Sequence, residues 1–320
     1  MALTIQQIYD RFIETGIAND PRSKSEVGRV LKEEKKAYDK LDKKDKQYFD
    51  VARLTNPYAD TRILFGDPKT KVKKLIAGID FEAADLVMTS QLNSVGAKID
   101  LAISHHPEGI ALACLQDAME LQKDLYEQVG VPINVIEKLM DKEIARVARG
   151  VHPINHEHSL DVARLLDIPY MCSHTVADNC VYTYLKQKLA KKQPRTVGDV
   201  MDLLLEEPEY QASARRGVKP IAFTGSRKNR AGKITVTGFT GGTSGSAEIY
   251  ESMKHAGVGT EIVMHCTKEH REQAEKHHIN IVVAGHIASD SLGMNLLLDP
   301  IEQAGVEIVA AGGFTRVKRK

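Results

Sequence analysis

The segment from Lys74 to His106 reads as one β-α-β unit, and that unit constrains the rest of the chain more than any other stretch. Lys74-Leu75-Ile76-Ala77-Gly78-Ile79-Asp80 follows the Gly66-Asp67-Pro68 breaker as an apolar run of strand length. A helix is predicted from about Glu82 to Val95, and Asp100-Leu101-Ala102-Ile103-Ser104 then reads as a second buried strand. Strands joined by a crossover of this length are parallel, and parallel sheets need helices over their faces. The scheme returns later in the chain. A strand at Lys233 to Phe239 leads through Gly241-Gly242-Thr243-Ser244-Gly245-Ser246 to a helix from Ala247. Strand Glu261 to His265, helix Glu269 to His277 and strand Asn280 to Ala284 follow.

The expected fold class is therefore α/β: two β-α-β lobes of layered sheets and helices, with an added helical N-terminal segment over residues 1–66. In that segment Ile5, Ile8, Phe12 and Ile13 keep helical spacing, and the charged stretch from Ser23 to Asp50 carries Val27, Val30, Leu31, Tyr38 and Leu41. The α/β domain then spans residues 67–320, its lobes divided near the polar residues 186–218. Between the two β-α-β units lie long helical patterning from Ile110 to Ala148, a histidine-rich turn at residues 152–158, and a short strand Tyr170-Met171-Cys172-Ser173.

Charge narrows the partners. The chain has 44 basic and 43 acidic residues, so it carries no overall electrostatic footprint for nucleic acid or an anionic membrane. The absence of Trp and an aromatic content of 5% also disfavour a stacking platform for single strands. No basic leader precedes an apolar run at the start, and no segment has 18 uninterrupted apolar residues. Cys114, Cys172, Cys180 and Cys266 lie far apart with no CxxC unit, which fits reduced thiols in a cytoplasmic protein.

The chemistry-bearing residues gather at strand ends, where open α/β sheets present their sites. His105-His106-Pro107 closes the second strand; neighbouring strand residues point to opposite faces, so one ring has to turn back before both share a site. His174 and Asp178 follow the strand at residues 170–173, and His286 and Asp290 follow the last strand with the same four-residue spacing, which places each pair on one helix face. Four imidazoles and two carboxylates suit one or two borderline divalent metals such as Zn, Fe, Mn, Co or Ni.

Four blocks carry a resemblance to a known family: residues 72–80 with residues 100–107, Ser173-His174-Thr175-Val176-Ala177-Asp178, the glycine-serine loop at 241–246, and Ala284-Gly285-His286-Ile287-Ala288-Ser289-Asp290. Together they resemble the NGG-interacting factor three (Nif-three-like) family, also called GTP cyclohydrolase type-two homologues, over residues 72 to 293, about two thirds of the chain. The resemblance implies a dinuclear centre with His105, His106, Asp178, His286 and Asp290 as ligands, Asp290 bridging two divalent ions. It gives His174 the role of a weak ligand, a partner orienting Asp178, or a catalytic acid/base group. It further implies a homo-oligomer, a hexameric ring, acting on a small-molecule substrate. Two departures stand out. The closing block of the family usually ends in glutamate where this chain has Asp290, and Val263-Met264-His265-Cys266 replaces a glycine-aspartate turn.

The expected function is a dinuclear metal-dependent hydrolase; the alternative is a metal chaperone, an insertion factor or a regulatory binding protein without turnover. Neither residues nor spacing encode a purine pocket, so the cyclohydrolase label does not fix a substrate. Smaller features stay open. The glycine loop either cradles an anion on backbone amides or is a tight turn. Asp80 either caps the following helix or faces the metals, His265 and Cys266 either pack or add a ligand, and His152, His156 and His158 either begin an exposed helix or hold an accessory metal or line a pocket.

Overall fold

The computed structural model describes residues 2–319 and contains three sheets. Its strands are β1 (Leu3–Thr4), β2 (Thr61–Phe65), β3 (Lys71–Val72), β4 (Lys74–Gly78), β5 (Leu101–Ser104), β6 (Tyr170–Ser173), β7 (Ile221–Thr224), β8 (Lys233–Gly238), β9 (Val258–Val263), β10 (Asn280–Val283) and β11 (Glu307–Ala310). The larger sheet has the order β11-β4-β5-β6-β2, the second β7-β10-β9-β8, and β1 pairs with β3 as a short ribbon. Both larger sheets are parallel in their middle, as the crossovers require, and each has one antiparallel edge, β2 on β6 and β7 on β10.

The first β-α-β unit forms as read: β4, the helix Ala83–Ser94, then β5 in parallel register with Leu75 opposite Leu101 and Gly78 opposite Ser104. Between β5 and β6 the expected long helix is broken. Leu121–Val129 ends at Gly130 with φ of 104°, and Pro132 precedes the helix Ile133–Val151, a left-handed stop followed by a residue that cannot continue a ladder.

The N-terminal segment needs correction. Helices Ile5–Ala18 and Lys24–Lys40 begin with side-chain caps on Thr4 and Ser23, but Thr61–Phe65 is a strand on the edge of the larger sheet. Asn56-Pro57 ends the helical run, and the short stretch Thr61–Phe65, closed by Gly66, is of strand length and carries the β-branched Thr61 and Ile63 and the aromatic Phe65. A second strand absent from the sequence reading is β11, which carries the chain back beside β4, with Ile308 opposite Leu75. The four-stranded sheet thus lies in sequence between strands of the other.

Three helices fill the space that positions the site: Ile5–Ala18, Thr175–Lys192 and His286–Gln303. They bury Ile8, Phe12, Val176, Val181, Leu292 and Leu298 in one core with Leu75, Ile103, Val236 and Ile262 of the two sheets. Helices Thr175–Lys192 and His286–Gln303 approach closely because residue 293 is glycine: a Cβ there would stand 2.6 Å from the Ala177 carbonyl oxygen. Among the described residues no helix is long and apolar enough to cross a membrane.

Candidate metal centre

His105 and His106 lie just past the end of β5, where the ladder to β4 runs on for two more bonds, from His105 N–H to Gly78 O (2.8 Å) and from His106 N–H to Ile79 O (3.1 Å). Pro107 then ends it. The two rings nevertheless converge, with centroids 5.3 Å apart, because each is turned by a bond on its Nδ1. His105 Nδ1 faces Ser173 O at 3.1 Å, and His106 Nδ1 faces Asp80 Oδ1 at 2.6 Å. With Nδ1 occupied, both Nε2 atoms point toward the same carboxylate.

That carboxylate is Asp290. Its Oδ1 lies 3.6 Å from His105 Nε2, and its Oδ2 lies 3.6 Å from His106 Nε2 and 3.5 Å from His286 Nε2. Asp178 closes the other side, Oδ1 to His105 Nε2 at 3.5 Å. The helix His286–Gln303 supplies His286 and Asp290 one turn apart, and the first turn of Thr175–Lys192 supplies Asp178. Three overlapping groups can each hold a metal ion: His105, His106 and His174; His106, His286 and Asp290; His105, Asp178 and Asp290.

The polar accounting favours a cation. His105 Nε2, Asp178 Oδ1 and both oxygens of Asp290 are buried without a hydrogen-bond partner. Such atoms cost roughly 1–3 kcal/mol each unless something satisfies them. Ligand atoms about 2.0–2.2 Å from a tetrahedral ion stand roughly 3.3 Å apart, close to the separations here. The donor set, imidazole nitrogen with carboxylate oxygen, is that of borderline divalent metals.

The electrostatics agree. Burial lowers the pKa of His105, and takes that of His286 down to about 4, leaving lone pairs free for coordination. Burial also opposes ionisation of Asp290, but the imidazoles of His105, His106 and His286 outweigh it and hold the carboxyl well below the usual range. Asp178 is pushed well above that range by burial, with Asp290 and Asp60 adding to it. A bound cation would relieve that stress.

No family model matches the chain, and no curated protein matches it. Among solved structures, a NIF3 superfamily protein from Sphaerobacter thermophilus superposes with a TM-score of 0.75 at 23% sequence identity, covering 98% of this chain and 100% of that one. The chain carries the NIF3 fold. Reduced HcgD from Methanocaldococcus jannaschii is also similar, with TM-score 0.49, 13% identity and 78% and 87% of the two chains covered. So is a Thermus thermophilus protein, TTHA1606, with TM-score 0.46, 12% identity and 84% and 94% covered.

Within this NIF3 fold, His174 differs from the other histidines. Its Nδ1 bonds Asp60 Oδ2 at 2.9 Å, and its Nε2 lies 3.8 Å from Asp178 Oδ2. Burial disfavours its charge, yet Asp178 and Asp60 raise its pKa to about 9. Asp60 is fully buried and also accepts from the Thr175 hydroxyl at 2.6 Å. Asp60 lies in the segment expected to be helical, so its place beside His174 is not apparent from the sequence. The turn at Asn56-Pro57 and an acid just before an apolar run were the available signal.

Asp80 orients His106, and the next helix takes Asp85 Oδ2 on the Glu82 N–H at 3.0 Å. His265 stacks edge-on against His286 with centroids 4.9 Å apart but joins none of the three ligand groups, and Cys266 turns its thiol to Thr267 O. His156 bonds Val151 O, and His158 opens the helix His158–Leu165; neither they nor His152 enter the centre.

Proposed function

We propose that the chain belongs to the NIF3 superfamily and is a dinuclear metal-dependent hydrolase of a small-molecule ester or phosphoester. One ion would sit between His105, Asp178 and Asp290, the other between His106, His286 and Asp290. The observation that carries this reading is the Asp290 carboxylate, whose two buried, unpartnered oxygens face different imidazole sets. A single carboxylate turned to two ligand sets suits a bridged pair. Paired ions of this class lower the pKa of bound water toward neutrality and clamp attacking and leaving oxygens.

The protein groups supply the rest. Asp60 fixes the His174 ring through Nδ1, so Nε2 is the nitrogen that faces the centre, 3.8 Å from Asp178 Oδ2. An imidazole held in that orientation at the edge of the centre is placed to exchange a proton with a substrate oxygen, which is the reading that supports turnover.

Metal analysis of protein purified without chelators tests the centre. Two ions per chain are expected in the wild type, and loss of both in His106→Ala with Asp178→Ala. Well under one ion per chain, with no rebinding of Zn, Mn or Fe, overturns it. A screen of ester, phosphodiester and nucleotide substrates tests the hydrolase: turnover that survives in His105→Ala refutes it.

A further inference from the structure

The glycine loop is the motif that the centre leaves unused. Gly242 to Gly245 line one cavity together with His174, Asp178 and His286. Two side chains from outside the loop hold its carbonyls. Gln122 Nε2 donates to Gly241 O (2.6 Å) and Thr243 O (2.5 Å), and His270 Nε2 donates to Gly245 O at 3.0 Å. By contrast, no backbone N–H from Gly241 to Ser246 donates to an acceptor among the described residues. Gly241 and Gly242 have φ of 93° and 81°, consecutive left-handed positions that only glycine adopts readily.

Successive N–H groups without an internal acceptor, beside carbonyls tied back by side chains, are what a backbone anion site is made of. The loop is also anchored at the centre. Thr240 Oγ1 bonds Asn179 Oδ1 at 2.6 Å, next in sequence to Asp178, and Ser244 Oγ meets His265 Nδ1 at 3.4 Å, whose ring stacks on His286. The cavity wall includes no Lys or Arg, so an anion there depends on backbone dipoles, imidazoles and metal charge. Of the two acids in the wall, Asp178 belongs to the ligand groups, and Glu261 already accepts from Thr237 and Tyr250 hydroxyls at 2.6 and 2.7 Å while burial raises its pKa.

We propose that the backbone of residues 241–246 is the subsite for a phosphoryl group of the substrate, seated beside the metal centre. This rests on the metal-hydrolase reading for its location and narrows the substrate to a phosphorylated small molecule. A run of successive N–H groups matches the three terminal oxygens of a phosphoryl group, where a planar carboxylate offers two. Gln122 acts as a positioning residue, since it sets the direction of the loop amides and donates to no oxygen of the ligand.

The test uses the full chain labelled with 15N-glycine, stripped of metal by chelation and titrated with inorganic phosphate. The amide signals of Gly241, Gly242 and Gly245 are expected to shift while those of the distant Gly96 and Gly217 stay fixed. Gln122→Leu, which frees the loop carbonyls, and Ser244→Pro, which deletes one N–H, are each expected to weaken phosphate roughly tenfold with metal stoichiometry unchanged. Loop amides that stay silent at saturating phosphate overturn the proposal, as do two variants that bind like the wild type. Because the titration is made without metal, shifting loop amides in a chain that never takes up metal would uphold the anion subsite and sink the metal reading. Silent amides in a metal-loading chain would do the reverse.

Discussion

His174 Nδ1 lies 2.9 Å from Asp60 Oδ2, a contact between residues 114 positions apart in the chain. It joins the start of the edge strand β2 to the helix that carries Asp178, and together with Asp178 it raises the pKa of His174, where burial lowers those of His105 and His286.

That contact makes the metal-free protein pH-sensitive in a defined sense. The folded pKa of His174 is about 9 against an ordinary 6.5, so its stabilisation is full below 6.5 and is lost as pH rises through 9. Urea unfolding of chelated protein at about pH 6, 7.5 and 9 should show falling stability across that window. Asp60→Asn should flatten part of the fall and His174→Gln should remove it; an unchanged slope in His174→Gln would exclude His174 as its source.

Asp290 should be the least replaceable ligand. Asp290→Asn is expected to bring bound metal below one ion per chain by elemental analysis, because both ligand sets lose an oxygen. Asp290→Glu keeps a carboxylate and should retain measurable metal. Two ions retained in Asp290→Asn would rule out the bridging role.

Chelation should lower the melting temperature of the wild type. An ion held at a hundred times its dissociation constant contributes about 2.7 kcal/mol. Calorimetry with and without chelator should show that loss in the wild type and none in His106→Ala with Asp178→Ala. Equal losses in both would place the stabilising metal elsewhere.

Gly293→Ala tests the helix contact beneath the centre. A Cβ at 2.6 Å from Ala177 O and 2.8 Å from a Val181 methyl forces the two helices apart, at about 1–3 kcal/mol by denaturant unfolding. Metal affinity should fall with it, since Asp178 and Asp290 ride on those helices. Unchanged stability and affinity would show that the helices have slack.

Much of the architecture and the chemistry was legible in local pattern. The β4-helix-β5 unit declares itself through apolar runs and a breaker, and the three strand-end histidine groups converge as their positions implied. What local pattern could not carry was pairing between distant segments. Strand β2 becomes a strand through its partner β6, and β11 takes its place through β4. Asp60 followed β2 into obscurity, since an acid next to a misread segment shows no sign of the imidazole it will meet. The convergence of His105 and His106 also depends on Ser173 and Asp80, which alternation alone does not reveal.

The return of the chain to β4 through β11 has a consequence for how this molecule is made. The larger sheet gains its last strand at residues 307–310, and the ligand groups gain Asp290 only shortly before. A growing chain therefore holds His105, His106 and Asp178 for more than a hundred residues of synthesis with no second ligand set. An ion held by both sets could therefore be taken up only once the helix His286–Gln303 has been made, and a product truncated before it would leave His105, His106 and Asp178 without the Asp290 carboxylate they face.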